Sequence, residues 1–315
     1  MGKVRAPRNR TLTLSAADRE RLQPQLLKPE ALASTLQPGI VQAEFEQVVP
    51  HLPEASFDLL ILDPPYNLAK SFNGQKFARK QAPAYTEWLE IILQPLLPLL
   101  KPTATAYICG DWLTSHSIFE VASRHLHVRN RITWEREKGR GALQNWKNCT
   151  EDIWFCTCGP DYYFDVEAVK LRRRVMAPYR NDEGQPKDWN RSAEGNYRDT
   201  YPSNIWTDIT IPFWSMPENT DHPTQKSEKL LAKLLLASCP PDGWVLDPFL
   251  GSGTTAVVGH KLERKVLGIE RDLEYALLAQ KRLELAQTQP GIQGYSDQVF
   301  WERNSQPPQK RISGS

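Results

Sequence analysis

Twice in this chain a short apolar run stops at an aspartate and meets residues that cannot continue a strand. No other feature constrains the fold as much. Phe57-Asp58-Leu59-Leu60-Ile61-Leu62 runs into Asp63-Pro64-Pro65-Tyr66, where two prolines remove backbone donors and end the pairing. Gly243 to Leu246 delivers Asp247, and the chain then turns through Pro248-Phe249-Leu250-Gly251-Ser252-Gly253 into a helical pattern from Thr254. Runs this apolar read as strands buried on both faces, which is how strands of a helix-covered parallel sheet read. Further strands are expected at Thr103–Cys109, near Arg131–Trp134, at Asp152–Cys158 and at Lys265–Ile269. Helical patterns fall between them, at Trp88–Leu100, Ile118–Leu126, Lys226–Ser238 and Leu273–Ala286. That alternation predicts an α/β fold with a mostly parallel sheet and helices on both faces.

The two loops carry chemistry of different kinds. Glycines at 251 and 253 let backbone approach a ligand closely, at a helix N-terminus that favours negative charge. Some twenty residues later the strand from Lys265 ends in Glu270. In nucleoside-binding α/β folds this spacing puts a carboxylate on the ribose hydroxyls. The other loop, Asp63-Pro64-Pro65-Tyr66-Asn67, sets acceptors beside an aromatic face. An exocyclic base amine is a poor nucleophile because its lone pair is delocalised into the ring. Acceptors at Asp63 and at a main-chain carbonyl would draw that lone pair out, most strongly as positive charge develops. Tyr66 is placed to stack on a base taken out of the duplex.

Together these residues resemble the amino-methyltransferase family of DNA methyltransferases, which act on adenine N6 or cytosine N4. The resemblance is to its β arrangement, with the catalytic motif ahead of the cofactor motif and a target-recognition segment between. It covers roughly residues 39 to 286. Asp63-Pro64-Pro65-Tyr66 matches the catalytic motif, Asp247 through Thr255 the cofactor loop, and Gly268-Ile269-Glu270 the ribose-binding strand. His222-Pro223-Thr224-Gln225-Lys226 matches a signature implicated in holding the methionine end of the cofactor. The resemblance implies a Rossmann-like sheet of seven strands, with the catalytic and cofactor strands side by side at the topological switch point. It implies S-adenosyl-L-methionine as cofactor, held by Asp63, Thr224, Lys226, Asp247, Phe249, Gly251, Ser252, Gly253, Thr254 and Glu270, with catalysis by Asp63, Pro64, Pro65 and Tyr66. Two positions depart from the family pattern. Ala43-Glu44 stands where a Gly-Asp pair is usual, leaving Glu44 for the adenine edge, and Ser227 replaces a proline.

The division expected is a basic tail and short helix over 1–38, a catalytic half over 39–158, a target-recognition segment over 159–218, a cofactor half over 219–286 and a C-terminal tail over 287–315. Ser15, with Asp18 three residues on, is the expected cap of that first helix. From Gly159 to Pro217 the regular rhythm stops, and 287–315 has turn and linker composition. Net charge is only +2, so any DNA footprint must lie in the distribution of charge. Residues 170–198 hold eight basic side chains against four acidic ones, with Tyr179, Trp189 and Tyr197 interleaved. Candidate DNA contacts there are Arg172, Arg173, Arg174, Arg180 and Arg191. A long loop from Lys70 to Lys80 adds Lys70, Lys76, Arg79 and Lys80 beside the catalytic motif.

Double-stranded DNA is the expected partner; a homodimer and a restriction endonuclease remain candidate partners. Five cysteines with no paired framework fit a reducing cytoplasm, and Cys156 with Cys158 has strand rather than zinc-site spacing. No signal peptide or membrane span is expected. None of the five cysteines follows a proline, which argues against ring-carbon cytosine methylation. Asp63 at the head of its motif and the trailing Asn67 resemble the adenine form. Cytosine N4 methylation uses the same loop design. A DNA-binding regulator without turnover, and an RNA or protein-glutamine methyltransferase, are the readings of other classes.

Overall fold

A computed structural model of the chain describes residues 6–67, 70–72, 75–77, 80–136, 143–175, 179–192, 195–303 and 305. In chain order the strands are β1 (Gly39–Gln42), β2 (Phe57–Leu62), β3 (Lys70–Phe72), β4 (Gln75–Phe77), β5 (Leu100–Gly110), β6 (His127–Glu135), β7 (Thr150–Thr157) and β8 (Leu171–Arg174). They continue with β9 (Asn190–Ser192), β10 (Gly195–Thr200), β11 (Ile205–Trp206), β12 (Trp244–Asp247), β13 (Lys265–Glu270), β14 (Tyr295–Ser296) and β15 (Val299–Trp301).

The main sheet runs β1-β13-β12-β2-β5-β7-β6-β11. Its first five strands are mutually parallel, while β7 runs antiparallel to both β5 and β6. Seven strands were implied; an eighth, the two-residue β11, joins the edge beside β6. Strands with period 2 divide their side chains between two cores. Leu59 and Ile61 of β2 face the layer containing Leu230, Leu234 and Ala279, while Leu60 and Leu62 face the layer containing Leu89, Leu93 and Ile118. Each such fully buried side chain contributes about 1.5–3 kcal/mol. The connection leaving β2 leads to β5 on one side, and that leaving β12 leads to β13 on the other. The crevice between β2 and β12 is therefore the switch point, with Val245 beside Leu59 and Leu246 beside Leu60.

Several elements differ from the sequence reading. The helix expected from Trp88 starts earlier, at Ala82, with a proline in its first turn, and ends at Leu93 before a 3-10 segment that carries Pro95 and Pro98. The Lys70–Lys80 stretch, expected as a long loop, contains the β3–β4 antiparallel hairpin. Between 159 and 217, where no rhythm was expected, three strands join a second, mixed sheet, ordered β14-β15-β8-β10-β9, in which β15 and β8 are parallel and the other pairs antiparallel. Two of its strands come from 287–315, which was read as a tail. Phe300 and Trp301 are buried, and Lys229 donates to the Trp301 carbonyl. Strands of two to six residues are too short to show the apolar alternation by which a strand is read from sequence. The N-terminal helix Ala16–Leu22 has the expected Ser15–Asp18 capping box. Among the described residues no helix is long and apolar enough to cross a membrane.

Candidate active site

The four parallel strands β1, β13, β12 and β2 end along one edge, so Glu44, Glu270, Asp247 and Asp63 follow from neighbouring strand ends. A cavity of about 450 Å³ opens there. Asp63, Pro64, Pro65 and Tyr66 line one part; Glu44, Phe45, Phe249 and Glu270 line another, and Thr224 and Lys226 line the cavity as well. The Phe45 and Phe249 rings lie 5.4 Å apart, giving the second part an aromatic wall.

Glu270 shapes the glycine loop as well as lining the cavity. Its two oxygens accept the backbone N–H groups of Gly251 and Asp272, each at 2.8 Å. Burial pushes its carboxyl up to about 7, partly offset by those two donors. Gly251 and Gly253 both have left-handed backbone, with φ of 57° and 85°. A Cβ on Gly253 would lie 2.5 Å from Ala279, so the loop packs against the last helix, Leu273–Thr288. Asp247 accepts from the Phe249 N–H at 3.1 Å and from Thr255 Oγ1 at 2.5 Å, and burial raises it to about 7. With Ser252 and Thr254 it borders a separate void of about 40 Å³. Ser252 and Thr254 are buried against Arg282, which donates to the Ser252 carbonyl at 2.8 Å and to Thr254 Oγ1 at 3.0 Å. Of the residues expected around the cofactor, Asp247, Ser252, Gly253 and Thr254 thus set the loop's shape from outside the larger cavity. Glu44 stands half exposed on its rim, 3.6 Å from Arg271.

Lys226 reaches the catalytic loop. Its Nζ lies 2.6 Å from Asp63 Oδ2, 3.1 Å from the Tyr66 hydroxyl and 3.3 Å from Glu151 Oε2. Burial alone would lower this ammonium, but the charges of Asp63 and Glu151 outweigh it and hold Lys226 above the ordinary lysine value. Tyr66, expected as an open stacking face, turns its hydroxyl inward to donate to Asp63 Oδ1 at 2.9 Å. Burial raises that phenol well above its usual range. Asn67 exchanges hydrogen bonds of 2.7 and 2.6 Å with the backbone of Lys80, closing the base of the β3–β4 hairpin. Gln225 fastens the signature segment by accepting from Thr220 and donating to the Glu218 carbonyl.

One residue of this site escaped the sequence reading. Glu151 is buried on β7 and pairs with Arg136 as well as Lys226; the available signal was an acid one residue ahead of the strand expected at Asp152–Cys158. Half-buried His222 packs edge-on to Tyr275 at 4.5 Å, and burial lowers its imidazole to about 4.

The basic residues expected at DNA differ in their partners. Arg172 makes a bidentate pair with Asp199, both contacts 2.7 Å, and lies over the Trp301 ring. Arg173 approaches Glu302 at 3.9 Å, whereas Arg174 is exposed. Arg180 donates to the Gly184 carbonyl and lies over Trp189. Arg191 falls on β9, Lys70 and Lys76 on the hairpin, and Lys80 is exposed. Arg79 lies outside the described residues.

Comparison with known proteins gives the same family as the motifs. A family model described as DNA methylase matches residues 57–281. The DNA adenine methyltransferase YhdJ of Escherichia coli K12 is 30% identical over 261 residues, covering 81% of this chain and 84% of its own length. Type II methyltransferase M.HpaI of Haemophilus parainfluenzae is 31% identical over 237 residues, covering 74% of this chain and 70% of its own. Among solved structures, the M1.HpyAVI–SAM complex superposes with a TM-score of 0.54 at 22% identity, over 78% of this chain and 98% of that one. The family match takes in both strand-end loops and the segment that joins them, and this chain belongs to the N6/N4 DNA methylase family.

Proposed function

We propose that the chain transfers a methyl group from S-adenosylmethionine to the N6 amine of adenine in double-stranded DNA. One observation carries the reading: the Asp63–Tyr66 loop and the Glu270-clamped glycine loop open into the same cavity at the switch point. The volume of about 450 Å³ is in the range of small-molecule sites. Phe45 and Phe249 offer apolar faces to an adenine ring. Each Glu270 oxygen already accepting one backbone N–H keeps a second lone pair for a ribose hydroxyl. Thr224 and Lys226 line the same cavity, Lys226 against Asp63, and would hold the amino-acid end.

When bound, S-adenosylmethionine supplies an electrophilic methyl group on a sulfonium. This chain's residues make the amine able to take it. Asp63 accepts one amine hydrogen, and a main-chain carbonyl of the Pro64–Pro65 segment accepts the other. Both bonds strengthen as the nitrogen becomes positive, so they lower the barrier rather than only holding the base. Lys226 stays protonated and fixes Asp63; the proton that the methylated nitrogen must lose leaves along its hydrogen bond to Asp63 and passes to solvent. The likeness to a relative named as a DNA adenine methyltransferase, with Asp63 and Asn67 in the motif, supports adenine.

The test is incubation of unmethylated genomic DNA with enzyme and methyl-labelled cofactor, then digestion to nucleosides and chromatography. Label in N6-methyldeoxyadenosine is expected. Label in N4-methyldeoxycytidine would move the base assignment and leave the chemistry. Label in neither would refute the reading.

A further inference from the structure

Lys226, Tyr66, Asp63 and Glu151 form a closed network whose protons can be counted. The Lys226 ammonium has three protons and three acceptors within reach: Asp63 Oδ2, the Tyr66 oxygen and Glu151 Oε2. The Tyr66 hydroxyl has one proton and two carboxylate acceptors, Asp63 Oδ1 at 2.9 Å and Glu151 Oε2 at 3.3 Å. It can serve only one at a time. Asp63 must also accept the substrate amine in the proposed mechanism; Lys226 already donates to Oδ2 and the Tyr66 hydroxyl to Oδ1, so moving the hydroxyl to Glu151 returns Oδ1 fully to the amine.

We infer that Glu151 is a positioning residue for methyl transfer, the alternative acceptor to which the Tyr66 hydroxyl turns when a substrate amine occupies Asp63 Oδ1. Glu151 is suited to the role by its setting. It is 3% exposed on β7, a strand of the central sheet, and its other oxygen, Oε1, is held by Arg136. It therefore stays in place while the hydroxyl swings between two fixed oxygens. No proton leaves any residue in this step; one hydrogen bond is exchanged for another. A phenol with Asp63 as its sole carboxylate acceptor would instead compete with the incoming amine throughout the reaction.

The inference rests on Asp63 receiving the amine, and a double-mutant cycle separates the two ideas. Single-turnover methyl transfer is measured for the full chain and for Glu151→Gln, Tyr66→Phe and the double variant. Calorimetry with the cofactor product checks that each site is intact. Glu151→Gln should slow transfer on the order of 10- to 100-fold, with cofactor-product affinity within about 3-fold of the parent. In the Tyr66→Phe background the same change should cost less than about 3-fold, since no hydroxyl remains to be received. Glu151→Asp keeps the charge facing Arg136 and Lys226 but draws back from Tyr66, and should reproduce that pattern even if the glutamine variant folds poorly. Equal losses in both backgrounds, or no loss in the parent, would overturn the inference. Failure of the underlying reading shows elsewhere: Asp63→Ala would then transfer methyl groups at the normal single-turnover rate.

Discussion

Cofactor affinity should follow the ionisation of Glu270. Burial sets this carboxyl at about 7, with the backbone N–H groups of Asp272 and Gly251 partly offsetting the shift and the charges of Asp272 and Asp247 adding to it. The ionised form is the better acceptor for a ribose hydroxyl. A hydrogen bond to a charged group is worth about 1.5–3 kcal/mol against about 0.5–1.5 for a neutral one. The difference of about 1–1.5 kcal/mol corresponds to roughly five- to tenfold in affinity. The sign follows from the raised value: full affinity is present above pH 7 and is lost as pH falls through 7, levelling near pH 6. The assay is calorimetry with S-adenosylhomocysteine between pH 5.5 and 8.5, which leaves the sulfonium charge out. Glu270→Gln mimics the protonated acid, and should bind weakly with a flat profile. Other groups near the loop have different signatures. His222 titrates near 4, below the window. Asp247 shares the value of about 7 but is tied to Thr255 and the Phe249 N–H outside the larger cavity, so Asp247→Asn should keep the slope. A Glu270→Gln variant that retained the pH dependence would refute the assignment.

Asp63→Ala should reduce single-turnover methyl transfer on the order of 100- to 1000-fold, as for loss of one strengthened transition-state hydrogen bond; cofactor-product affinity, read by calorimetry, should hold. Arg174→Ala should flatten the salt dependence of DNA binding by about one unit of slope, the signature of one phosphate contact. Arg172→Ala should leave that slope unchanged and instead lower stability by about 1 kcal/mol, because Asp199 loses its bidentate partner; urea unfolding distinguishes the two. Gly253→Ala should cost about 2–5 kcal/mol in urea unfolding, from a left-handed backbone position and a Cβ driven into Ala279.

Much of the site was legible in the sequence because its parts are local. A buried strand that must stop, a proline pair, a glycine turn and an acid at the next strand end each announce themselves within a few residues. That is why Asp63, Glu270 and the order of catalytic and cofactor loops could be read directly. The recognition sheet was not legible. β8 and β10 are short and polar, and β15, which pairs with β8, is three residues from a stretch of linker composition; only long-range pairing makes them strands.

By itself, then, the sequence determined the α/β class, the two strand-end loops and the amine-directed chemistry they imply. The tertiary structure decided which side chains meet. It set β2 against β12 across about 185 residues of chain, brought Lys226 to Asp63 and placed Glu151 beneath Tyr66. It also paired Arg172 with Asp199 and packed Ser252 and Thr254 against Arg282. The physical reason is common to all of these. Hydrogen bonds and ion pairs between distant residues depend on the register of packed strands, and a linear pattern of apolar and polar residues encodes that register only through the folded core.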